Sequence, residues 1–258
     1  MKNNKKTPAL IARGRDFIKS NRGRKQFGEM SDQMKGMKNP LLQKDFPKDA
    51  ELIDLPSPLK FEMGTAPLLE VINQRRSRRK YTDEPLTLAE LSFLLWCTQG
   101  IKRIFRDGYV SLRTVPSAGS RHAFETYLLI KNVSDIKPGL YRFLAVEHKL
   151  LPLVQDAPDI FQKAAAASCN QPFVASAAVT FVWTTIPYRC EWRYRELSHK
   201  VIAIDAGHVC QNLYLAAESI GAGTCAIAAY YQDEMDELLG VDGKDEFVIY
   251  LAPVGKIP

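Results

Sequence analysis

The stretch GLYRFLAVEHKLLPLV, residues 139–154, reads as two short strands, Gly139–Leu144 and Lys149–Val154, joined about the polar turn Glu147-His148. A hairpin of this kind makes its two strands antiparallel neighbours. Around it, helices and strands intermix. Tyr127–Ile130 reads as a strand upstream. Downstream, Asp156–Ser168 is an Ala-rich helix and Ala175–Thr185 is a buried strand, apolar on both faces. Ser198 opens a long helix to about Ile220, Thr224–Ala229 is an apolar loop, Gln232–Leu239 is a short helix, and Phe247–Val254 is a final strand. Few strands, two of them paired as a hairpin, favour an α+β sheet with a helical layer over a regular doubly wound fold.

Toward the N-terminus, Leu55-Pro56-Ser57-Pro58 is extended linker chemistry. Pro67 opens a helix running through Ser77, with Leu68, Val71 and Ile72 inward. Thr87-Leu88-Ala89-Glu90 is a capping-box sequence that starts an apolar helix, Leu88–Thr98, ended at Gly100. Two regions result: a basic N-terminal arm, residues 1–50, and one domain, residues 51–258. Within the arm a helix fits Leu10–Ser20, where Leu10, Ile11, Phe17 and Ile18 share a face, and Ser20-Asn21-Arg22-Gly23 is its stop. The arm either wraps a partner subunit or stays solvated.

The 258 residues are 46% hydrophobic and 25% charged, enough to bury a core without disulfides or a structural metal. No apolar run approaches the roughly 20 residues of a bilayer span, which excludes a helical membrane protein. The basic Met1–Thr7 start has no apolar signal region behind it, so the expected compartment is cytoplasmic. Five cysteines, an odd number with no C-x-x-C pair, argue against a disulfide framework and a zinc ribbon. The net charge of +6 invites an acidic partner, but it is unevenly placed. Residues 1–48 hold 13 Lys/Arg against 4 Asp/Glu, and the rest of the chain 22 against 25. The arm carries the excess and no nucleic-acid reading motif accompanies it, so a nucleic-acid partner is not expected.

Inside the acidic body one cluster stands out: Arg75-Arg76-Ser77-Arg78-Arg79-Lys80. Crowded like charges need a solvated or anion-bound setting. Arg75 and Arg79, four apart, converge on one anion if the helix continues, and guanidinium forks match a phosphate. A solvated helix end fits the spacing equally. Pro116-Ser117-Ala118-Gly119-Ser120 is a turn of small residues, either a tight loop or a place where backbone approaches a flat ligand. Gly221-Ala222-Gly223-Thr224-Cys225-Ala226-Ile227-Ala228-Ala229 follows the longest helix, with glycines suited to its C-cap. The segment is either a buried core strand or a surface lying flat against an aromatic ring system. It is not a dinucleotide fingerprint, because its glycines end a helix where that motif opens one. His199, His208 and Cys210 do not form a metal site: His208 and Cys210 do not face each other on a helix, and no acidic or Cys cluster completes a ligand set.

Taken in order, Arg-Arg-Ser-x-Arg at 75–79, Pro-Ser-Ala-Gly-Ser-Arg-His at 116–122, and Asp205-Ala206-Gly207-His208-x-x-Gln211-Asn212 running into the Gly221–Cys225 segment resemble the nitroreductase family of FMN proteins. More narrowly, the set is similar to the SagB-type dehydrogenase branch, which includes azoline oxidases of peptide natural-product pathways. The resemblance covers about residues 64–256. It implies an α+β sandwich with a mixed or antiparallel sheet packed with helices. It also implies an intertwined homodimer with FMN at the subunit interface. By the same resemblance, Arg75, Arg76, Ser77 and Arg79 hold the FMN phosphate and ribityl chain, helped by Lys256 after the last strand. Pro116, Ser117, Ala118 and Gly119 approach the flavin, often from the partner subunit. Ala226, Ile227, Ala228 and Ala229 run along its ring, with an N–H of Ala228 or Ala229 facing N5. The implied activity is hydride transfer from NAD(P)H through FMN to a small electrophile such as a nitroaromatic or quinone.

One position departs from the azoline-oxidase pattern. Those enzymes carry Trp-Lys-Tyr where this chain has Trp192-Arg193-Tyr194. Tyr194 is retained as a candidate catalytic residue, whereas Arg193 stays protonated and is a poor general base, suited to anchoring an anion instead. Two alternatives therefore stand beside the reductase: an azoline dehydrogenase acting on a modified peptide, and a flavin-binding protein without catalysis.

Overall fold

The computed structural model describes residues 8–20, 30–106 and 108–258. The basic start Met1–Thr7 and the expected helix stop at Asn21-Arg22-Gly23 lie outside the described residues. Helix α1 (Ala9–Phe17) buries none of its residues. A two-residue strand β1 (Ile53–Asp54) leads to helix α2 (Leu68–Gln74), which follows Pro67. Helix α3 (Leu88–Gln99) opens with the expected capping box: Thr87 Oγ1 accepts from the Glu90 N–H at 3.2 Å, and the Glu90 carboxylate accepts from the Thr87 N–H at 2.9 Å. A small antiparallel pair, β2 (Ile101–Phe105) and β3 (Val110–Arg113), stands apart from the main sheet. Then come β4 (Phe124–Ile130), β5 (Gly139–Leu144), β6 (Lys149–Gln155), α4 (Ile160–Ala167), α5 (Phe173–Ser176), β7 (Val179–Thr185), α6 (Tyr188–Tyr194), α7 (Ser198–Ser219), β8 (Ala222–Thr224), α8 (Gln232–Leu239) and β9 (Phe247–Lys256).

The main sheet has seven strands in the order β1-β6-β5-β4-β7-β9-β8, and every neighbouring pair is antiparallel. The hairpin at residues 139–154 forms with Leu144 opposite Lys149. Strands β4 and β7 are buried throughout. Their pleat sends alternate side chains to opposite faces. Leu128 and Ile130 join Leu91, Leu95, Leu213 and Ala217 from α3 and α7, while Tyr127 and Leu129 join Ile160, Ala164, Met235 and Leu239 from α4 and α8. Helices thus cover both faces of the sheet, as expected of an α+β sheet packed with helices.

Three sequence expectations shift in ways that matter for the site. The helix after Pro67 ends at Gln74, and Arg75 is extended at φ −52° and ψ 125°. Arg75 and Arg79 therefore do not stack along a helix. Like-charge crowding disfavours another turn, and pairing of Ser77 with Thr224 gives the segment backbone bonds elsewhere. Second, Val71 is buried, but Leu68 and Ile72 are exposed. Third, the apolar loop expected at 224–229 begins as strand β8, and the final strand runs on through Lys256.

Residues 30–52 lie along the body. The Gln33 N–H donates to Trp192 O at 2.9 Å, and Trp192 Nε1–H donates to Met37 O at 3.1 Å. Arg113 donates to Leu42 O at 2.9 Å, and the Lys44 N–H to the Glu125 carboxylate at 2.7 Å. Side chains and one main-chain carbonyl of the body thus satisfy main-chain groups of residues 30–52, which form no helix or strand.

Candidate functional site

The chemistry-bearing residues fall into two groups, placed at different points along α7. In the first, the extended segment after α2 is tied to β8: Ser77 pairs with Thr224, and the Arg78 N–H donates to Thr224 O at 2.9 Å. Arg78 turns inward. Its guanidinium meets Glu218 at 2.8 Å, and its stem covers Gly223, where an added Cβ would lie 2.5 Å from Arg78 Cγ. Arg75, Arg76 and Arg79 are left without a carboxylate partner among the described residues. Arg75 stacks 5.3 Å over the ring of Tyr214, and Arg79 lies 5.9 Å over Phe173.

Tyr214 is the keystone of this group, and sequence reasoning missed it. Its hydroxyl lies 3.0 Å from Ser77 Oγ and accepts from the Ala226 N–H at 2.8 Å. The segment beyond β8 is thereby held beside the arginines. Ile227 pairs with Leu251 of β9, while Ala228 and Ala229 are exposed. Neither Ala228 N–H nor Ala229 N–H has an acceptor among the described residues. Lys256 is placed differently. It lies within β9, and its Nζ is bound by the Glu90 carboxylate at 2.5 Å and Ile220 O at 3.3 Å, so its charge is already met.

In the second group, the turn Pro116–Gly119 rests on α7. The Ala118 N–H donates to Asp205 Oδ2 at 3.2 Å, and Ser117 Oγ accepts from the His122 N–H at 3.0 Å. Burial pushes the Asp205 carboxyl above its ordinary value, partly offset by its bonds from Ser117 and the Ala118 N–H. Gly119 has φ +57°, and a Cβ there would run into the Tyr194 hydroxyl and lie 3.1 Å from Arg193 Nη1. The small residue is required both by the left-handed backbone and by what packs on it. The structure thus brings Arg193 and Tyr194, at the end of α6, onto the Pro116–Gly119 turn.

Among the described residues no hydrogen bond or ion pair joins the two groups. Asp205 and Tyr214 are nine residues apart on α7, roughly 13 Å along the helix axis. Arg121 and Trp192 also belong to the second group and were not anticipated as site residues. Arg121 lies 5.2 Å over the Trp192 ring. The Arg-His pair following the small-residue turn was the available signal. Among the described residues no group of His, Cys, Asp and Glu is placed to hold a metal ion, and no helix is long and apolar enough to cross a membrane.

Comparison with known proteins gives this arrangement a context. A protein of Methanocaldococcus jannaschii provisionally named a nitroreductase is 31% identical over 189 residues, 73% of this chain and 90% of its own. The trifolitoxin-processing protein TfxB of Rhizobium leguminosarum is 30% identical over 120 residues, 42% of this chain and 30% of that protein. Among solved structures, a protein of Ralstonia eutropha with the same provisional nitroreductase name superposes with a TM-score of 0.65 at 25% identity, covering 86% of this chain and 96% of that one. The model of the nitroreductase family matches residues 72–256, from the end of α2 through β9 and taking in both groups of site residues, and the chain belongs to that family.

Proposed function

We propose that this oxidoreductase binds FMN in a homodimer and moves a hydride from NAD(P)H to a small electrophile such as a nitroaromatic or a quinone. The observation that carries the reading is the first group of residues. Through its bonds to Ser77 and Ala226, Tyr214 joins the segment carrying three arginines that have no carboxylate partner among the described residues to the segment carrying the unpaired N–H groups of Ala228 and Ala229. A phosphate fits the first feature and a heteroaromatic ring edge the second. The residues present therefore fit FMN. Arg75, Arg76, Ser77 and Arg79 would hold its phosphate and ribityl chain, and Ala226–Ala229 would lie along its ring. When bound, FMN supplies the hydride chemistry, and the chain supplies orientation and charge. Tyr194, held against Gly119, offers a hydroxyl proton to the acceptor, while Arg193 stays charged. Lys256, committed to Glu90, takes a supporting place.

The separation of the two groups supports a dimer. A two-fold axis across α7 would set the Pro116–Gly119 turn of one protomer beside the arginines of its partner. Exposed Leu68, Leu69 and Ile72 on α2 and Ile204 on α7 offer the apolar surface. A cleft of about 380 Å³ between α2, α3 and α7, lined by Leu68, Trp96 and Leu215, continues that surface. The test is FMN titration followed by fluorescence quenching. Stoichiometric binding that Arg75→Ala weakens supports the reading; a colourless protein that takes up no added FMN overturns it.

The likeness to a trifolitoxin-processing protein favours a second reading, oxidation of azoline rings in a modified peptide. Arg193, standing where azoline oxidases carry Lys, weighs against it. Conversion of a peptide-bound thiazoline to thiazole by the FMN-loaded protein would reverse the ranking.

A further inference from the structure

Arg121 is 7% exposed, yet no carboxylate of the described residues meets it. Its Nη1 donates to Asn39 Oδ1 at 2.6 Å, its Nη2 to Tyr109 O at 3.0 Å, and its Nε to Gly119 O at 3.2 Å. Tyr109 and Trp192 close over the guanidinium at 5.6 and 5.2 Å. Every one of these partners is neutral. Arg193 also packs beside Gly119, exposed, with its guanidinium 5.4 Å over the Tyr194 ring and no ion pair among the described residues. The carboxylates nearby are committed. Asp205 accepts from the Ala118 N–H, Glu191 meets His199 at 2.7 Å, and Asp32 meets Lys35 at 3.1 Å.

Two positive charges therefore flank one glycine without a counter-ion among the described residues. Burial, and with it the charge of Arg193, pulls the Arg121 guanidinium below its ordinary value. A buried cation of this kind is costly unless an anion comes to it, and guanidinium forks match carboxylate and phosphate oxygens. We propose that Arg121 and Arg193 form an anion-selecting pair beside Gly119, so that a molecule bound at this site carries a carboxylate or a phosphate. The inference rests on the flavin reading only for placing this site next to the reacting ring. Arg121 is the fixed member, locked by Asn39, Tyr109 and Trp192. Arg193 is the member with free donors. The anion has two sources, an acidic electron acceptor or the extra phosphate of NADPH, and the experiment separates them.

The test compares matched ligands by calorimetry on the oxidised, FMN-loaded protein: para-nitrobenzoate against para-nitrobenzamide, and NADP+ against NAD+, which carry the same phosphate difference but cannot reduce the flavin. The expected result is about a tenfold tighter binding of the charged member of at least one pair, narrowing at high salt. Arg193→Gln removes most of that preference and Arg193→Lys keeps most of it, with FMN content the same in both. A preference in the first pair assigns the anion to the acceptor, and in the second to the dinucleotide. Equal affinities within both pairs, or a preference that Arg193→Gln leaves intact, overturn the proposal. Should the protein hold no FMN, the flavin reading falls. The same comparison on the flavin-free protein then still decides for or against the arginine pair.

Discussion

The hydroxyls of Ser77 and Tyr214 lie 3.0 Å apart, joining an extended segment near the start of the domain to the long helix α7. Because Tyr214 also accepts from the Ala226 N–H, one side chain sets the spacing between the arginines and the exposed alanines. Tyr214→Phe keeps the ring under Arg75 but leaves that N–H unpaired. A stability loss of roughly 1–2 kcal/mol in urea unfolding is expected. FMN affinity should fall by about tenfold as the two segments drift. Unchanged FMN affinity would show that Tyr214 is structural only.

Gly119 makes a second, sharper case. An alanine there meets both an unfavourable left-handed backbone, worth roughly 1–2 kcal/mol, and the Tyr194 hydroxyl. Gly119→Ala should lower the melting temperature and displace Tyr194. Loss of acceptor reduction with retained FMN content is the expected signature, read by comparing turnover with flavin absorbance.

The exposed apolar face of α2 tests the dimer. Leu69 is 70% exposed in the single chain, so a charge there costs the isolated fold little. Leu69→Glu should convert a dimer to monomers in sedimentation velocity while circular dichroism stays the same. A protein monomeric before substitution would contradict the two-fold arrangement.

His122 gives a pH signature. Burial, then the charge of Arg113, pushes its imidazole down to about 3. An unfolded imidazole takes its proton near 6.5. Between those values the unfolded chain binds more protons, so stability is fully present above about pH 6.5 and falls as pH drops below it. At pH 5 the loss from this group is of order 1–2 kcal/mol. His122 has φ +44°, a conformation that Asn tolerates. His122→Asn should flatten the acid limb of melting temperature against pH. An unchanged limb would place the acid sensitivity elsewhere.

Legibility in the sequence follows the range of the interactions. The 139–154 hairpin and the Thr87-Glu90 capping box are local, and the order of residues alone announces both. The course of the basic cluster is not local, because Ser77 pairs with Thr224, far along the chain. Helical spacing therefore misplaces Arg75 relative to Arg79. Tyr214 is hidden for a related reason: on a helix rich in apolar residues an aromatic reads as core. The course of residues 31–45 is hidden because most of its anchors are main-chain groups, with Asn39 Oδ1, met at long range by Arg113, Arg121, Arg142, Trp192 and Glu125. Polar composition alone does not announce a docked segment. Arg193 and Tyr194 can be named from the motif, but their packing on Gly119 requires the fold.

The most direct measurement is an anaerobic titration of the FMN-loaded protein with NADH and with NADPH, following flavin absorbance. Bleaching in proportion to added nucleotide, restored when a quinone is admitted, is the expected result. A bound flavin that neither nucleotide reduces would contradict the proposed hydride transfer.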